Sequence, residues 1–175
     1  MNVSKRLRII SIPIATAIVS AGLIATASPS YAAAPRYRIF NVAAGQNICL
    51  GNNSSGQSHI VRCTAPAKAQ EWHIRQRISL GGRIYVQWEN DSNKCLGLAG
   101  GSGPQLVVGA CGSTTDRSQF WHGPPILAFN GQMMENAKNG NCAGTKGSRI
   151  SLHTLVIEGP CIPGSRTQLW NTTFG

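Results

Sequence analysis

The side chains of this sequence best suited to chemistry are six cysteines, four histidines and six carboxylates, and their spacing decides which chemistry is open to them. The chain has no Cys-x-x-Cys and no paired His-Cys spacing. The gaps from Cys49 to Cys63, Cys95 to Cys111 and Cys142 to Cys161 are wide for a zinc-type ligand set, so neither a metal nor any other cofactor is expected. His73 and His122 each directly follow a tryptophan in matching contexts, which marks them as repeated architecture, while His59 and His153 have no evident partner. Glu89 and Asp91, two apart on a predicted strand, form the one close carboxylate pair. A glycosidase pair needs carboxyl groups about 5 to 10 Å apart across an enclosing cleft, and neighbours on a solvated strand edge do not provide it. With no Gly-x-Ser-x-Gly elbow, phosphate loop or lone reactive cysteine, the chain reads as a binding protein and not an enzyme.

The elements that must position these residues begin after an export signal. Lys5, Arg6 and Arg8 precede a mostly apolar run from Ile9 to Ala27, and Ser30, Tyr31 and Ala32 fit a small-x-small cleavage site. Residues 1–32 are therefore read as a signal peptide and the product as secreted and extracellular, with no membrane span left in the mature chain. Residues 33–175 have the size of one domain. Cleavage removes three of the sixteen Lys and Arg and none of the six acids, so the formal net charge falls from +10 to +7. The segment 33–83 carries seven of the remaining basic residues against Glu71 alone. Arg36 with Arg38, and Arg75 with Arg77, alternate along predicted strands, so each pair should project from one face. Together they form a candidate patch for an anionic ligand.

A repeat organises the mature chain. Gln70-Glu71-Trp72, Gln119-Phe120-Trp121 and Gln168-Leu169-Trp170 recur at a spacing of 49 residues. Each is preceded by a Cys-small-Gly segment (Cys49-Leu50-Gly51, Cys95-Leu96-Gly97, Cys142-Ala143-Gly144) and then by a second cysteine. All six cysteines lie in the exported part, so disulfides are expected. The repeat selects Cys49 with Cys63, Cys95 with Cys111 and Cys142 with Cys161, each bridge worth about 3 kcal/mol in the chain-entropy model. Short alternating runs such as Tyr37-Arg38-Ile39-Phe40-Asn41, broken by turn clusters such as Gly51-Asn52-Asn53-Ser54-Ser55-Gly56, predict an all-β fold. Within a strand, residues two apart share a face, so Gln70 and Trp72, Gln119 and Trp121, and Gln168 and Trp170 should all point into the core. The buried amides then need backbone partners at a neighbouring turn. The middle residues Glu71, Phe120 and Leu169 should point outward and be free to vary.

Three equally spaced Gln-x-Trp motifs with one cysteine pair each resemble the ricin B-chain-type β-trefoil lectins, a carbohydrate-binding module type, over almost the whole mature chain. The resemblance implies three pseudo-symmetric lobes, about 33–83, 84–125 and 126–175, with six barrel strands and six strands in capping hairpins. It also implies sugar pockets built from an aspartate two residues after the first cysteine, an aromatic before the second, and an asparagine preceding Gln-x-Trp. Here those positions hold Gly51, Gly97 and Gly144, then Val61, Gly109 and Gly159, then Ala69, Ser118 and Thr167, so the usual galactose-pocket residues are missing in all three lobes.

The expected function is a lectin-like module for a polysaccharide or cell-surface glycan, one that could be anionic. Asn52 and Asn53, beside the first vacant aspartate position, and His59, which precedes the second cysteine, are its candidate sugar-binding residues. Nucleic acid is not expected as a partner outside the cell. The alternative partner is a secreted protein, with the trefoil acting as a protease inhibitor that presents the segment Ile162-Pro163-Gly164-Ser165-Arg166.

Overall fold

The computed structural model describes residues 34–64, 67–100, 103–123 and 131–175; the signal peptide expected over 1–32 lies outside them. The described residues form thirteen strands and two short 3-10 turns, and no helix among them is long and apolar enough to cross a membrane. In chain order the strands are β1 Tyr37–Asn41, β2 Ile48–Asn52, β3 Ser58–Arg62, β4 Trp72–Leu80, β5 Arg83–Asn90, β6 Lys94–Leu98, β7 Leu106–Gly109, β8 Phe120–His122, β9 Gln132–Met133, β10 Glu135–Asn136, β11 Cys142–Thr145, β12 Val156–Gly159 and β13 Leu169–Phe174.

Antiparallel pairing joins β1 to β4, β4 to β5, β5 to β8, β8 to β10, β9 to β13 and β13 back to β1. β9 and β10 are two halves of one stave interrupted at the fully buried Met134, so the ring closes as a six-stranded barrel. Closure removes the exposed edges that an open sheet would carry. The other strands form three hairpins, β2–β3, β6–β7 and β11–β12, which gives the six-plus-six arrangement expected. The hairpins also meet one another through the isolated pairs Gln57 with Val107, His59 with Leu155 and Gln105 with Ile157. At that junction the Nε2 of Gln105 donates to the carbonyls of Ser58, Leu106 and Val156 at 3.0, 2.9 and 2.9 Å, one acceptor from each lobe.

Trp72, Trp121 and Trp170 are each 0% exposed and lie in one central cluster with Ile39, Leu50, Ile60, Leu96 and Val156. Each indole Nε1 donates to the carbonyl of the residue between the first cysteine and the glycine: Leu50 at 3.3 Å, Leu96 at 3.0 Å and Ala143 at 2.9 Å. The pairs Cys49–Cys63, Cys95–Cys111 and Cys142–Cys161 are disulfides, and no cysteine is free.

Phe120 departs from expectation. It lies outside the central cluster, as the strand alternation requires, yet it is 0% exposed. Alternation assigns a side chain to a face of the strand, and on this short stave both faces are covered.

Each lobe's first barrel strand ends in a buried asparagine, a repeat not singled out in the sequence. Asn41, Asn90 and Asn136 accept through Oδ1 from the backbone N–H two residues on, at Ala43, Ser92 and Lys138, the geometry of an Asx turn. Their amides reach the preceding lobe, donating to Thr167 O, Asn52 Oδ1 and Ser118 O respectively. One residue type thus both turns the chain into a hairpin and ties adjacent lobes together.

Candidate ligand-binding surfaces

The motif glutamines latch the loop at each second cysteine. Gln70 Oε1 accepts from Thr64 N at 3.0 Å, Gln119 Oε1 from Gly112 N at 2.6 Å and Gln168 Oε1 from Ile162 N at 2.7 Å. Their amides donate to Thr64 Oγ1, Ala110 O and Pro160 O. Both ends of each amide are satisfied, although the glutamines lie outside the central cluster, Gln119 and Gln168 in 3-10 turns and Gln119 only partly buried, and not on strands as expected. The latch occupies the space beside the glycine at each vacant aspartate position. A Cβ on Gly97 would stand 2.8 Å from Cγ of Gln119, and one on Gly144 would stand 2.9 Å from Cγ of Gln168. In the first lobe a Cβ on Gly51 would meet Val61 Cγ2 at 2.8 Å. Glycine at these positions is therefore a packing requirement.

The candidate residues of the first lobe spend their polar groups on their own hairpin. Asn53 Oδ1 accepts from Gln57 N at 2.9 Å and Ser55 Oγ at 2.8 Å, while its Nδ2 donates to Gln57 Oε1. Asn52 donates to Asn53 O and accepts from Asn90. His59 is only 6% exposed, with Nδ1 3.1 Å from Gln57 O. These residues shape the β2–β3 turn, and the space above Gly51 is filled by Val61.

The basic residues divide. Arg75 and Arg77 line one cleft of about 190 Å³ with Tyr37, Ile74 and Gln76, although a bulge interrupts the β4–β5 register between Ile74 and Gln76. Arg75 grips both oxygens of the buried Glu89 at 3.0 and 3.1 Å, and His73 Nε2 approaches the same carboxylate at 3.0 Å. Glu89 is thus enclosed by a cation and an imidazole, and does not lie on the solvated strand edge expected of it. Arg36 pairs with Asp91, which holds the guanidinium above its ordinary pKa, and Arg38 lies 3.8 Å from Glu71. Among the described residues Arg77 has no carboxylate partner. The charge excess of the segment 33–83 is offset in part by Glu89 and Asp91, which the second lobe contributes.

The third lobe keeps an open cleft of about 90 Å³ between the Gly144-Thr145 end of β11, the Ile157-Glu158-Gly159 edge of β12 and the loop after Cys161. This is the region to which the resemblance assigns a sugar, and three features there suit one. Glu158 Oε2 is held by the side-chain amides of Asn139 and Asn141, which orients the carboxylate. Thr145 lines the cleft from β11, but its side chain is enclosed on the strand face it shares with the buried Val156. Ile162 is 59% exposed and offers an apolar shelf. Gly159 occupies the position that Val61 fills in the first lobe, and nothing lies within 4 Å of a Cβ built there. Glu158, Thr145 and Ile162 do not follow the family's spacing, so sequence matching missed them.

No family model matches the chain, and no curated protein matches it. Among solved structures, the designed three-fold symmetric protein ThreeFoil superposes with a TM-score of 0.60 at 15% identity, over 79% of this chain and 97% of its own. The fold is a β-trefoil. The same β-trefoil matches the Polyporus squamosus lectin, solved with the epitope Neu5Acα2-6Galβ1-4GlcNAc, at a TM-score of 0.55 and 17% identity over 83% of this chain and 50% of the lectin. It also matches a GlcNAcα1-4Gal-releasing endo-β-galactosidase from Clostridium perfringens at 0.61 and 15%, over 81% of this chain and 32% of the enzyme. A mosquitocidal holotoxin matches at 0.63 and 17%, and there the chain spans only 16% of the larger protein. At these identities the likeness is one of fold.

Proposed function

We propose that this β-trefoil is a secreted, non-enzymatic carbohydrate-binding module whose third lobe holds the sugar. The observation that carries the reading is the cleft beside Gly144, where a fixed carboxylate and an exposed apolar side chain line a space that no side chain fills. Glu158 accepts from sugar hydroxyls through short charge-assisted bonds, in place of the aspartate that Gln168 leaves no room for. Ile162 covers the apolar face of the ring where the lectin family uses an aromatic. The cleft is well below the roughly 300 to 1,000 Å³ of enclosed small-molecule pockets, which suits the edge of one residue of a longer glycan. That a lectin and a glycan-degrading enzyme carry the same fold supports a glycan as the partner, and the basic charge of the mature chain favours an anionic one.

The inhibitor reading draws less support. Ser165 N–H donates back to Ile162 O at 3.0 Å and Arg166 opens a 3-10 turn, so the segment is folded on itself and presents no extended strand. A glycan array probed with the mature protein and with Glu158→Gln tests the proposal. Selective binding by the first and its loss in the second is expected. A blank array, or binding indifferent to Glu158, overturns it.

A further inference from the structure

Two histidines that are 94 residues apart in sequence face each other where the first and third lobes meet. The ring centroids of His59 and His153 are 5.6 Å apart with the planes tilted by 47°. The backbone fixes this approach: His153 N donates to Ile60 O at 2.7 Å, Ile60 N donates to Thr154 O at 2.9 Å, and His59 pairs with Leu155. His153 itself has φ +68°, a left-handed conformation that sets the direction of its side chain.

We propose that His59 and His153 form a two-imidazole site for a divalent ion of the zinc, nickel and copper class. Two imidazoles bound to one ion through nitrogen at about 2.1 Å and near the tetrahedral angle have centroids about 5 Å apart, closer than the observed 5.6 Å by about half an ångström, a difference that a small rotation of the side chains closes. The tautomer is prepared as well. His59 Nδ1 lies 3.1 Å from Gln57 O, so the proton on Nδ1 is donated to that carbonyl and the Nε2 lone pair is left to a metal. Metal-bound histidines are generally held in this way by a carbonyl behind the ring. Imidazole ligands select zinc, copper and nickel over magnesium and calcium. No cluster of three or more His, Cys, Asp or Glu side chains that could hold a metal occurs among the described residues, so the remaining coordination positions belong to water. The site joins two lobes, and an ion bound there favours the closed trefoil over any state in which the lobes separate.

The test uses untagged, oxidised mature protein titrated with zinc chloride, and separately with nickel chloride, at neutral pH. Calorimetry should give one ion per chain, and metal at a hundred times its dissociation constant should raise the folded-to-unfolded ratio about 100-fold, read as a higher Tm. His153→Asn keeps a residue tolerant of positive φ. It should fold with an unchanged metal-free Tm and lose the metal-dependent rise, and His59→Gln should also lose it, whereas His122→Asn should retain it. Absence of saturable binding in the unaltered protein, or a metal-dependent rise that survives His153→Asn, overturns the proposal. Binding of magnesium with equal affinity would also contradict the imidazole assignment.

Discussion

Gly97 and Gln119 are in contact so close that no side chain fits between them: a Cβ on Gly97 would lie 2.8 Å from Gln119 Cγ. The same glutamine accepts from Gly112 N and donates to Ala110 O, so it cannot move aside without releasing the loop at Cys111. Gly97→Ala should therefore destabilise the fold by about 1 to 3 kcal/mol through overpacking. Gly97→Asp should do so at least as much and should create no galactose binding. Denaturant melts with and without galactose check both expectations; a neutral Gly97→Asp that binds galactose would show that the glutamine latch yields.

The aromatic residues should rank by what covers them and by what their polar atoms touch. Trp121→Ala and Phe120→Ala should each cost about 3 to 5 kcal/mol, since both side chains are fully buried. Trp88 is 1% exposed and packs edge-on against Tyr37, but its Nε1 has no partner. Trp88→Phe discards an unsatisfied donor, whereas Trp121→Phe strips Leu96 O of its hydrogen bond. The first should be milder by about 1 kcal/mol or more. Equal losses in urea melts would count against the orphan indole.

Arg75 and Arg77 line one cleft yet should behave differently on removal. Arg75→Ala leaves the buried Glu89 with His73 alone and should cost about 1 to 2 kcal/mol, the half-exposed arginine discounting the larger loss of a buried pair. Arg77→Ala should change stability by less than about 0.5 kcal/mol. If an acidic polysaccharide is retained by this face, Arg77→Glu alone should shorten its retention at low salt. Retention that ignores Arg77 would move the electrostatic contact elsewhere.

Features repeated with a fixed motif in every lobe were legible in the sequence, because each copy supports the others; the repeated asparagines Asn41, Asn90 and Asn136, which stand apart from the motif, were not. The bridges and the buried Trp of each motif belong to this class, and the hairpin-capped barrel was implied by the family resemblance. Gln70, Gln119 and Gln168 all precede their strands, Gln119 and Gln168 in 3-10 turns, and Gln119 is only partly buried, so the strand alternation expected of them does not describe their place. Features that arise between lobes were not legible. Glu89 meets Arg75 across a strand pair, and Asp91 meets Arg36 over 55 residues, so a charge sum along the chain misjudges the surface. His59 and His153 share no local pattern, and only the packing of hairpins from different lobes unites them. Phe120 follows the alternation correctly, but period-two reasoning does not say that its outer face is covered. Glu158 lies one residue from the position at which the lectin pattern expects an aromatic, and Thr145 directly follows the vacant aspartate position. A site made from neighbours of the motif escapes a motif search.

The central claim, that the third lobe holds the sugar, is tested most directly by titrating ¹⁵N-labelled protein with the strongest glycan from the array and following backbone amide resonances. Saturable shifts at Gly144, Thr145, Glu158 and Gly159, together with the side-chain amide of Gln168, and silence from Asn52 to His59, are predicted. Shifts confined to the β2–β3 turn or to Arg75–Arg77, with the third lobe silent, would contradict the account.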